Sequence, residues 1–420
     1  MAHCKQPRTY KNTDMRPTSS PADYRDPEFL RDRMRRDIAF FHPRAIDPAG
    51  GFFHYLNDDG SAYDAASRHL VNSSRMVFCY ALAWRLDGKE AYRAAARHGL
   101  RFLQERHWQP SYGGYAWVLE NNVAVDRTQH CYGLAFVLLA HAHALRIGID
   151  EAAAGIGATF QLMEKLFWSE ADGLYADEAT PDGVVSSYRG QNANMHSCEA
   201  LIAAFEATGE KRYLHRAELL AHNITERQAA LADGWIWEHY HADWSVDWEY
   251  NRHDSSNMFR PWGFQPGHMT EWSKLLLLLE RHRAHLQGDA DWLLPRARAL
   301  FDVTMPAAWD QESGGLVYGL APDGTVCDGD KYFWVQAESL ATAALLAARS
   351  GDQAYWDSYN KLWDYSSAHL IDQERGGWYR ILRQDNQRYG PEKPPHGKTD
   401  FYHPMGAYLE SLAAVGSPLE

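Results

Sequence analysis

Histidines, acidic residues and one arginine occur in short stretches of this sequence whose spacing suits proton-transfer chemistry. One stretch, QNANMHSCEA, spaces Asn192, His196 and Glu199 three to four residues apart, and another, PGHMTEW, spaces His268 and Glu271 three apart. Residues at these intervals share one face of a helix. Single residues of the same kinds stand in RHLVNSSRMVF, WVQAES and DFYHPMG, and they are Arg75, Glu338 and His403.

Imidazole groups are the most telling of these side chains, because they titrate close to neutral pH and act as acid or base when a carboxylate orients them. The permanently charged Arg75 suits the stabilisation of an oxyanion. Trp262 and Trp334 stand beside these stretches and suit either stacking on the apolar face of a sugar ring or plain packing. We therefore favour acid/base catalysis on a small polar substrate.

A metal site is the alternative use of the same residues. His268 and Glu271 could ligate an ion, with His196 and His403 completing the set. The sequence contains neither an HExxH motif nor a Cys-His cluster, which are the usual signatures of such sites. We expect no metal and no other cofactor.

A repeated turn indicates how these residues are positioned. Six stretches combine glycines, aromatic residues and a polar turn: GGFFHYLNDDG, YGGYAWVLENN, DGLYADEATPDG, DGWIWEHYHADW, GGLVYGLAPDGT and GGWYRILRQDNQ. Four of the five gaps between them are about sixty residues, and a fixed period marks a repeat architecture. The wider gap, between Gly234 and Gly315, holds a Trp- and Asp-rich insert. Each copy predicts a short hairpin or turn.

Apolar residues recur at helical spacing between the turns and predict two helices in each interval. The expected helices cover about residues 27–43, 67–87, 89–106, 127–147, 150–167, 192–208, 211–229, 266–285, 290–308, 335–350, 353–370 and 401–415. The even-numbered helices are apolar nearly all round, which is typical of buried helices, whereas the odd-numbered ones carry a charged stripe. This alternation predicts an all-α fold, an (α/α)6 barrel of six inner and six outer helices.

The turns lead from outer helices to inner ones, so all six must gather at one end of the barrel. We expect their aromatic residues to wall a single mouth that contains the pocket. The alternative is that they only cover the end of the barrel. His141, His143, His282 and His285 lie far from helix starts and are expected to be structural or solvated.

Composition restricts the domain organisation and the partners. The chain has 420 residues, 45% of them hydrophobic and 13% aromatic, which favours one catalytic domain over residues 26–420 after a polar tail at 1–25. No apolar run reaches the roughly 20 residues of a membrane span, and the N-terminal stretch lacks the apolar segment of a signal peptide. We therefore expect a cytoplasmic protein. The net charge of −13 disfavours nucleic acid and acidic membranes as partners.

Five cysteines, an odd number, are widely scattered and form no CxxC pair, so they indicate neither a disulfide framework nor a zinc site. Cys79, Cys131 and Cys198 fall inside predicted helices and are expected to be buried core residues.

Five separated motifs of this chain resemble, in order and spacing, the N-acylglucosamine 2-epimerase superfamily, and within it the branch of mannose isomerases, sulfoquinovose isomerases and mannose 2-epimerases. The resemblance covers about residues 25–415. The motifs are RHLVNSSRMVF, RGQNANMHSCEALIAAFEATGEKRYL, FRPWGFQPGHMTEWSKLLLLLE, KYFWVQAESLATAAL and DFYHPMGAYLE. The family fold is an (α/α)6 barrel, in agreement with the helix count.

The resemblance implies a cofactor-free reaction on an open-chain sugar, with D-mannose and D-fructose interconverted through a cis-enediol(ate). It implies that His268 and His403 form the acid/base pair, His403 acting on the C2 proton. It further implies a substrate-binding role for the positions Arg75, Tyr132, Asn192, His196, Glu271, Trp334 and Glu338. Two departures bear on sugar preference. Val71 replaces the Trp of sulfoquinovose-type isomerases, and Gln129 replaces a Lys found in many relatives.

Three other functions stay open at this point. A mannose-glucose 2-epimerase would use the same histidines but return the proton to the opposite face of C2. A glycoside hydrolase needs two carboxylates across the scissile bond, and Glu271 with Glu338 is the available pair. A non-catalytic sugar- or protein-binding barrel would use the aromatic mouth but gains little from three histidines. The oligomeric state cannot be read from the sequence.

Overall fold

A computed structural model describes residues 23–254, 257 and 259–420. Within these residues the chain forms twelve α-helices. They are α1 (Pro27–Phe41), α2 (Leu70–Asp87), α3 (Glu90–Phe102), α4 (Cys131–Arg146), α5 (Ala152–Leu166), α6 (Gln191–Thr208), α7 (Lys211–His222), α8 (Pro266–Arg281), α9 (Leu293–Ala308), α10 (Phe333–Ser350), α11 (Gln353–Tyr365) and α12 (Tyr402–Ala414). All twelve predicted helices are confirmed, with ends that differ by a few residues.

The even-numbered helices form a closed inner ring, in which α2 packs against both α4 and α12, and α10 packs against both α8 and α12. The odd-numbered helices pack outside this ring: α3, α5, α7, α9 and α11 each pack chiefly against the inner helix that precedes them, and α1 packs against α12 and α2. Every residue of α8 from Pro266 to Glu280 is buried, whereas α3 alternates buried and exposed residues. The (α/α)6 barrel predicted from the helical pattern is confirmed.

Three outer helices end in a π-helical turn, which accounts for most of the difference from their predicted ends. These turns are Leu103–His107, Asn223–Gln228 and Ser366–Leu370. Two short 3-10 helices, Ala229–Ala232 and Arg283–His285, follow α7 and α8.

Short antiparallel strands fill the connections from outer to inner helices. They are β1 (Tyr55–Leu56), β2 (Ala62–Asp64), β3 (Ser67–His69), β4 (Trp108–Gln109), β5 (Gly114–Tyr115), β6 (Val118–Glu120), β7 (Val123–Asp126), β8 (Gln129–His130), β9 (Trp168–Ser169), β10 (Leu174–Tyr175), β11 (Glu178–Ala179), β12 (Arg189–Gly190), β13 (His239–Tyr240), β14 (Gly319–Leu320), β15 (Val326–Asp328), β16 (Lys331–Tyr332) and β17 (Ile381–Leu382). Several pairs join neighbouring connections: β3 pairs with β6, β8 with β11, β12 with β13, and β16 with β17. The connections therefore form one continuous rim at one end of the barrel.

Buried polar side chains clamp the turns to the helices that follow them. Lys331 Nζ donates to Asp310 and to the carbonyl of Gly314 at 2.8 Å each. In the third connection, Asn194 of α6 bonds both the N–H and the carbonyl of Tyr175. Gln129 does the same for Tyr115, at 3.1 and 3.0 Å. Gln129 does not line the cavity described below, and its bearing on sugar preference stays a prediction.

The cysteines follow the prediction, because Cys79, Cys131 and Cys198 are buried and free. None of the described helices combines the length and the apolar character that a bilayer crossing requires. Most of the predicted polar tail, residues 1–22, lies outside the described residues. Of its last three residues, Tyr24 stacks on Trp363 at 5.4 Å between ring centroids. The single-domain organisation stays a prediction.

A glycine in the fifth turn tests how tightly the rim is packed. Gly315 has φ +75° and a Cβ there would lie 2.4 Å from the Tyr365 ring, whereas Gly351 has φ +71° and open space around it. We expect Gly315→Ala to lower the free energy of unfolding by about 3 kcal/mol, the left-handed backbone adding to overpacking. Gly351→Ala should cost only about 1 kcal/mol. Urea denaturation of both variants checks this, and equal losses would contradict it.

Candidate functional site

A cavity of about 500 Å³ opens at the rim end of the barrel. All six outer-to-inner connections contribute to its wall, through residues such as Tyr55, Trp117, Glu178, Arg260 and Tyr318. Its floor is formed by the first turns of the inner helices. The predicted single mouth is therefore confirmed.

The aromatic residues of the repeated turns divide into two groups. Tyr55, Trp117 and Tyr318 line the cavity. The remainder, such as Phe52, Tyr175, Trp237 and Trp378, are buried beneath the hairpins. Both interpretations of the turns thus apply, since some aromatics wall the mouth and others cover the end of the barrel.

Each inner helix brings at least one predicted site residue to this end of the barrel. Those that line the cavity are Arg75 on α2, Tyr132 on α4, Asn192 and His196 on α6, His268 and Glu271 on α8, Trp334 on α10 and His403 on α12. Glu338 lies one layer behind, in contact with His403. Trp262 is not among the lining residues, and its indole N–H donates to the Trp248 carbonyl at 2.7 Å. Of the two interpretations of Trp262, plain packing within the insert therefore applies, in place of stacking on a sugar in the cavity.

The tautomer of His268 is set by a chain of three buried side chains. The Trp272 indole N–H can only donate, and it donates to Gln191 Oε1 at 2.6 Å. The Gln191 amide nitrogen is thereby turned toward Glu238 Oε2, 2.9 Å away. Glu238 Oε2 is thus an acceptor, and the His268 Nδ1–H donates to it at 2.9 Å. In the neutral imidazole this tautomer leaves Nε2 without a proton, so that Nε2 can act as a base.

His403 is held in the same way by a different carboxylate. Its Nδ1 lies 2.7 Å from Glu338 Oε1, and the other oxygen of Glu338 accepts from the Lys274 ammonium. Nδ1 therefore donates, and Nε2 is again left as the base. Burial lowers the pKa of His403, and Glu338 opposes that shift. The imidazole is consequently neutral near pH 7.

Trp334 brings the two histidines together. Its ring centroid lies 5.0 Å from that of His268 and 5.7 Å from that of His403, with the rings tilted by 34° and 36°. Both imidazoles line the same cavity. An acid/base pair that acts on one substrate needs both imidazoles at one cavity, and His268 and His403 meet this condition.

His196 differs from these two because its hydrogen bonding is weaker. Its Nδ1 lies 3.3 Å from Glu199 Oε2 and its ring meets Tyr132 edge to face. Burial lowers the pKa of His196 to about 4. A neutral imidazole at this position suits hydrogen bonding to a substrate hydroxyl more than proton transfer at neutral pH.

Several polar atoms on the cavity wall have no hydrogen-bond partner among the described residues. Both carboxyl oxygens of Glu271 and Oδ1 of Asn192 are buried and make no hydrogen bond. Burial and the nearby Glu338 carboxylate raise the pKa of Glu271 well above its ordinary value. Leaving buried polar atoms unpaired is costly, so this part of the wall is built to receive a ligand rich in hydroxyl groups.

Arg75 supplies a positive charge at the floor of the cavity, on an inner helix. Its guanidinium lies 3.4 Å from Asp400 and 3.2 Å from the Tyr132 hydroxyl. It also lies over the ring of Phe136 at 4.6 Å. These contacts fix the planar group on the wall, where it can face an oxyanion.

Sequence reasoning missed the residues that orient the histidines. Glu238 and Gln191 belong to this group, as does Lys274, and the same reasoning also missed Asp400, which pairs with Arg75. Glu238 stands in the aromatic stretch WIWEHY, and Lys274 stands in an otherwise apolar run of α8. A lysine surrounded by leucines on a helix predicted to be buried was a signal that could have identified Lys274.

The carboxylates that could ligate a metal surround a cation of the protein instead. Two groups, His196 with Glu199 and Glu271, and Glu271 with Glu338 and His403, have donor atoms close enough for one ion. The Lys274 ammonium contacts all three of these carboxylates. This internal charge balance favours the use of these residues in proton transfer.

Comparison with known proteins agrees with this geometry. Residues 51–407 match the family described as N-acylglucosamine 2-epimerase (GlcNAc 2-epimerase). The chain belongs to the N-acylglucosamine 2-epimerase family. Among members of this family, it is 51% identical to a D-mannose isomerase of Marinomonas mediterranea, over 92% of this chain and 97% of that protein. It is 34% identical to a D-mannose isomerase of Thermobifida fusca, over 89% and 91% of the two chains.

A solved structure in this family supports the same relationship. A crystal structure of a D-mannose isomerase superposes with a TM-score of 0.90 at 50% identity, covering 94% of this chain and all of that one. The (α/α)6 fold and the membership of an enzyme family that isomerises or epimerises sugars follow from these similarities.

The hydrogen-bond chain behind His268 can be tested directly. In Glu238→Leu the acceptor is lost, and the Gln191 amide remains as the group facing Nδ1. We expect Nδ1 to become an acceptor and the proton to move to Nε2. In Glu238→Gln, whose carbonyl oxygen can still accept, the Nδ1–H tautomer should persist. Nitrogen-15 chemical shifts of labelled histidine report the tautomer, and an unchanged Nδ1–H form in Glu238→Leu would contradict the assignment.

Proposed function

We propose that this protein is an aldose-ketose isomerase that interconverts D-mannose and D-fructose by histidine acid/base catalysis, without a cofactor. The observation that carries the proposal is the pair of imidazoles, each donating through Nδ1 to a buried glutamate and each leaving Nε2 free at one cavity. The D-mannose isomerases to which the chain is similar support the choice of sugar.

The reaction follows from the residue types. The Nε2 of His403 takes the C2 proton of the open-chain aldose, and the electrons move to form a cis-enediol(ate). While it is held on the imidazole this proton can exchange with solvent, and His403 then delivers a proton to C1 as the carbonyl moves to C2, which gives the ketose. His268 transfers the proton between the O1 and O2 oxygens, and each imidazole is oriented by its glutamate.

Charge on the enediolate is stabilised by Arg75 and by the inner helices. The N-termini of all six inner helices converge on the cavity, and a helix N-terminus carries partial positive charge. Asn192, His196 and Glu271 bind sugar hydroxyls, Tyr132 holds Arg75, and Trp334 stacks on the carbon chain. Glu338 acts through His403 rather than on the sugar.

A neutral sugar fits this cavity better than an anionic one. Val71 contributes an apolar surface to the wall, in place of the Trp of sulfoquinovose-type isomerases. Arg260 is paired with Glu178 at 2.7 Å, and Arg75 with Asp400. Because these arginines are already matched by carboxylates, we expect no preference for a sulfonated sugar.

The other functions are less well supported. Hydrolysis would need Glu271 and Glu338 on opposite sides of a bond, but Glu338 lies behind His403 and both glutamates contact Lys274.

The net charge of −13 disfavours polyanionic partners, and we propose that the protein acts on its small-molecule sugar in the cytoplasm. A 2-epimerase remains the main alternative, because it would use the same two histidines.

Product identity separates the two outcomes. Incubation of the purified protein with D-mannose should yield D-fructose, measured by proton NMR in D₂O with deuterium entering the exchanged position. Accumulation of D-glucose in place of fructose would instead establish the 2-epimerase. Recovery of unchanged mannose with no exchanged proton would contradict both.

Loss of His403 should abolish exchange of the C2 proton while leaving fold and sugar binding intact. General acid/base catalysis contributes about 10²- to 10⁴-fold, so we expect His403→Ala to slow C2–H exchange in D₂O by at least about 10²-fold. His215, half-buried on the outer helix α7 and outside the cavity lining, provides the matched control, and His215→Ala should exchange like the wild type. Exchange at the wild-type rate in His403→Ala would remove His403 from the mechanism.

A further inference from the structure

Lys274 is a buried ammonium group in the floor of the barrel, beneath the cavity. It lies on α8, one turn after Glu271, and is 4% exposed. Its Nζ contacts carboxylates from three inner helices: Glu338 on α10 at 2.5 Å, Glu271 on α8 at 3.7 Å and Glu199 on α6 at 3.8 Å. A lysine is almost never fully buried unless it is paired, so the burial of Lys274 depends on these three carboxylates.

Each of these carboxylates is also in contact with a histidine of the site. Glu338 accepts from His403, and Glu199 lies 3.3 Å from His196 and accepts from the Tyr402 hydroxyl. Glu271 Oε1 lies 4.0 Å from His196. Lys274 is therefore the common counter-charge of the groups that support two imidazoles.

The charged and titratable groups around this cluster come from every neighbouring inner element. In addition to the glutamates and histidines already named, they are Arg75 on α2, Tyr132 and His143 on α4, and Asp400 and Tyr402 at the start of α12. Arg75 is the other cation among them, and it is paired with Asp400. Of these two cations, it is Lys274 that contacts Glu338 directly.

We propose that Lys274 is a positioning residue that keeps Glu338 ionised as the acceptor for His403, and so sets the pH range in which His403 can take the C2 proton. This inference rests on the proposed function, since it concerns the base of that reaction. The geometry supports it because the two oxygens of Glu338 are divided between the two partners, Oε1 to His403 and Oε2 to Lys274.

The electrostatics agree with this role. Burial alone would raise the pKa of Glu338, but Lys274 and His403 bring it below its ordinary value. Burial would lower the pKa of Lys274, and the three glutamates raise it instead. Without the ammonium, the Glu338–His403 pair would bind a proton more tightly, because a nearby cation opposes protonation. The active form, with Glu338 ionised and His403 neutral, would then be reached only at higher pH.

The test is the pH profile of kcat/KM for mannose in Lys274→Met and Lys274→Arg. We expect the acidic limb of Lys274→Met to move to higher pH by at least about one unit, the scale of shift that an adjacent charge produces. Lys274→Arg retains the charge and should keep the wild-type midpoint, with KM nearly unchanged in both variants. A Lys274→Met profile that is lower at every pH but has the wild-type midpoint would overturn the proposal, because that is the result of a purely structural role.

A second variant keeps the test decisive if Lys274→Met does not fold. Glu199→Gln removes a negative charge from the same cluster and should move the limb to lower pH. A midpoint that stays in place or rises would overturn the proposal.

An activity-independent readout separates failure of this inference from failure of the proposed function. Nitrogen-15 histidine resonances, with His403 assigned by its absence in His403→Gln, report the titration of His403 with no sugar present. A wild-type protein that leaves mannose unchanged would refute the isomerase, yet the shift between Lys274→Met and wild type would still be measured. Equal His403 titrations in the two proteins would refute the role of Lys274 alone.

Discussion

The site depends on one arrangement that occurs twice. In each case an imidazole donates a hydrogen bond from Nδ1–H to a buried glutamate and keeps Nε2 available to the substrate. Glu238 does this for His268, and Glu338 for His403. Each glutamate is held as a hydrogen-bond acceptor, because Gln191 donates to Glu238 and Lys274 donates to Glu338. An enediol mechanism needs two acid/base groups in one cavity, and the tautomers of these imidazoles follow from donors that lie one layer further back.

The barrel makes this arrangement possible because it brings the starts of six helices to one end. Side chains in a first helical turn have few intrahelical neighbours at the mouth and can face the cavity. The rim of short hairpins closes the wall above them, and buried clamps such as Lys331 and Gln129 fix the turns to the helices below. The catalytic side chains thus belong to the rigid inner helices, whereas the connections form the outer part of the cavity wall.

Much of this could be predicted from the sequence. Helical periodicity and the sixty-residue repeat were sufficient for the barrel, because an apolar pattern reports burial directly. Helix-start positions were sufficient to bring His196, His268 and His403 together. Glu238 could not be found in this way, since it comes from an irregular connection whose path no periodicity describes. The clamp that Gln129 forms with the backbone of Tyr115 could not be predicted either, because the position of a backbone atom is not visible in the sequence. Lys274 was overlooked within an apolar run, where its charge was the informative feature.

The most direct test of the central claim is a crystal structure with an open-chain hexitol such as D-mannitol bound. The account predicts the sugar chain in the cavity against Trp334, with C2 within about 3.5 Å of the His403 Nε2, the separation expected of reacting atoms. It also predicts the oxygens on C1 and C2 within hydrogen-bond distance of the His268 Nε2. A hexitol bound with C2 remote from both imidazoles, or with either histidine turned so that its Nδ1 faces the sugar, would contradict it.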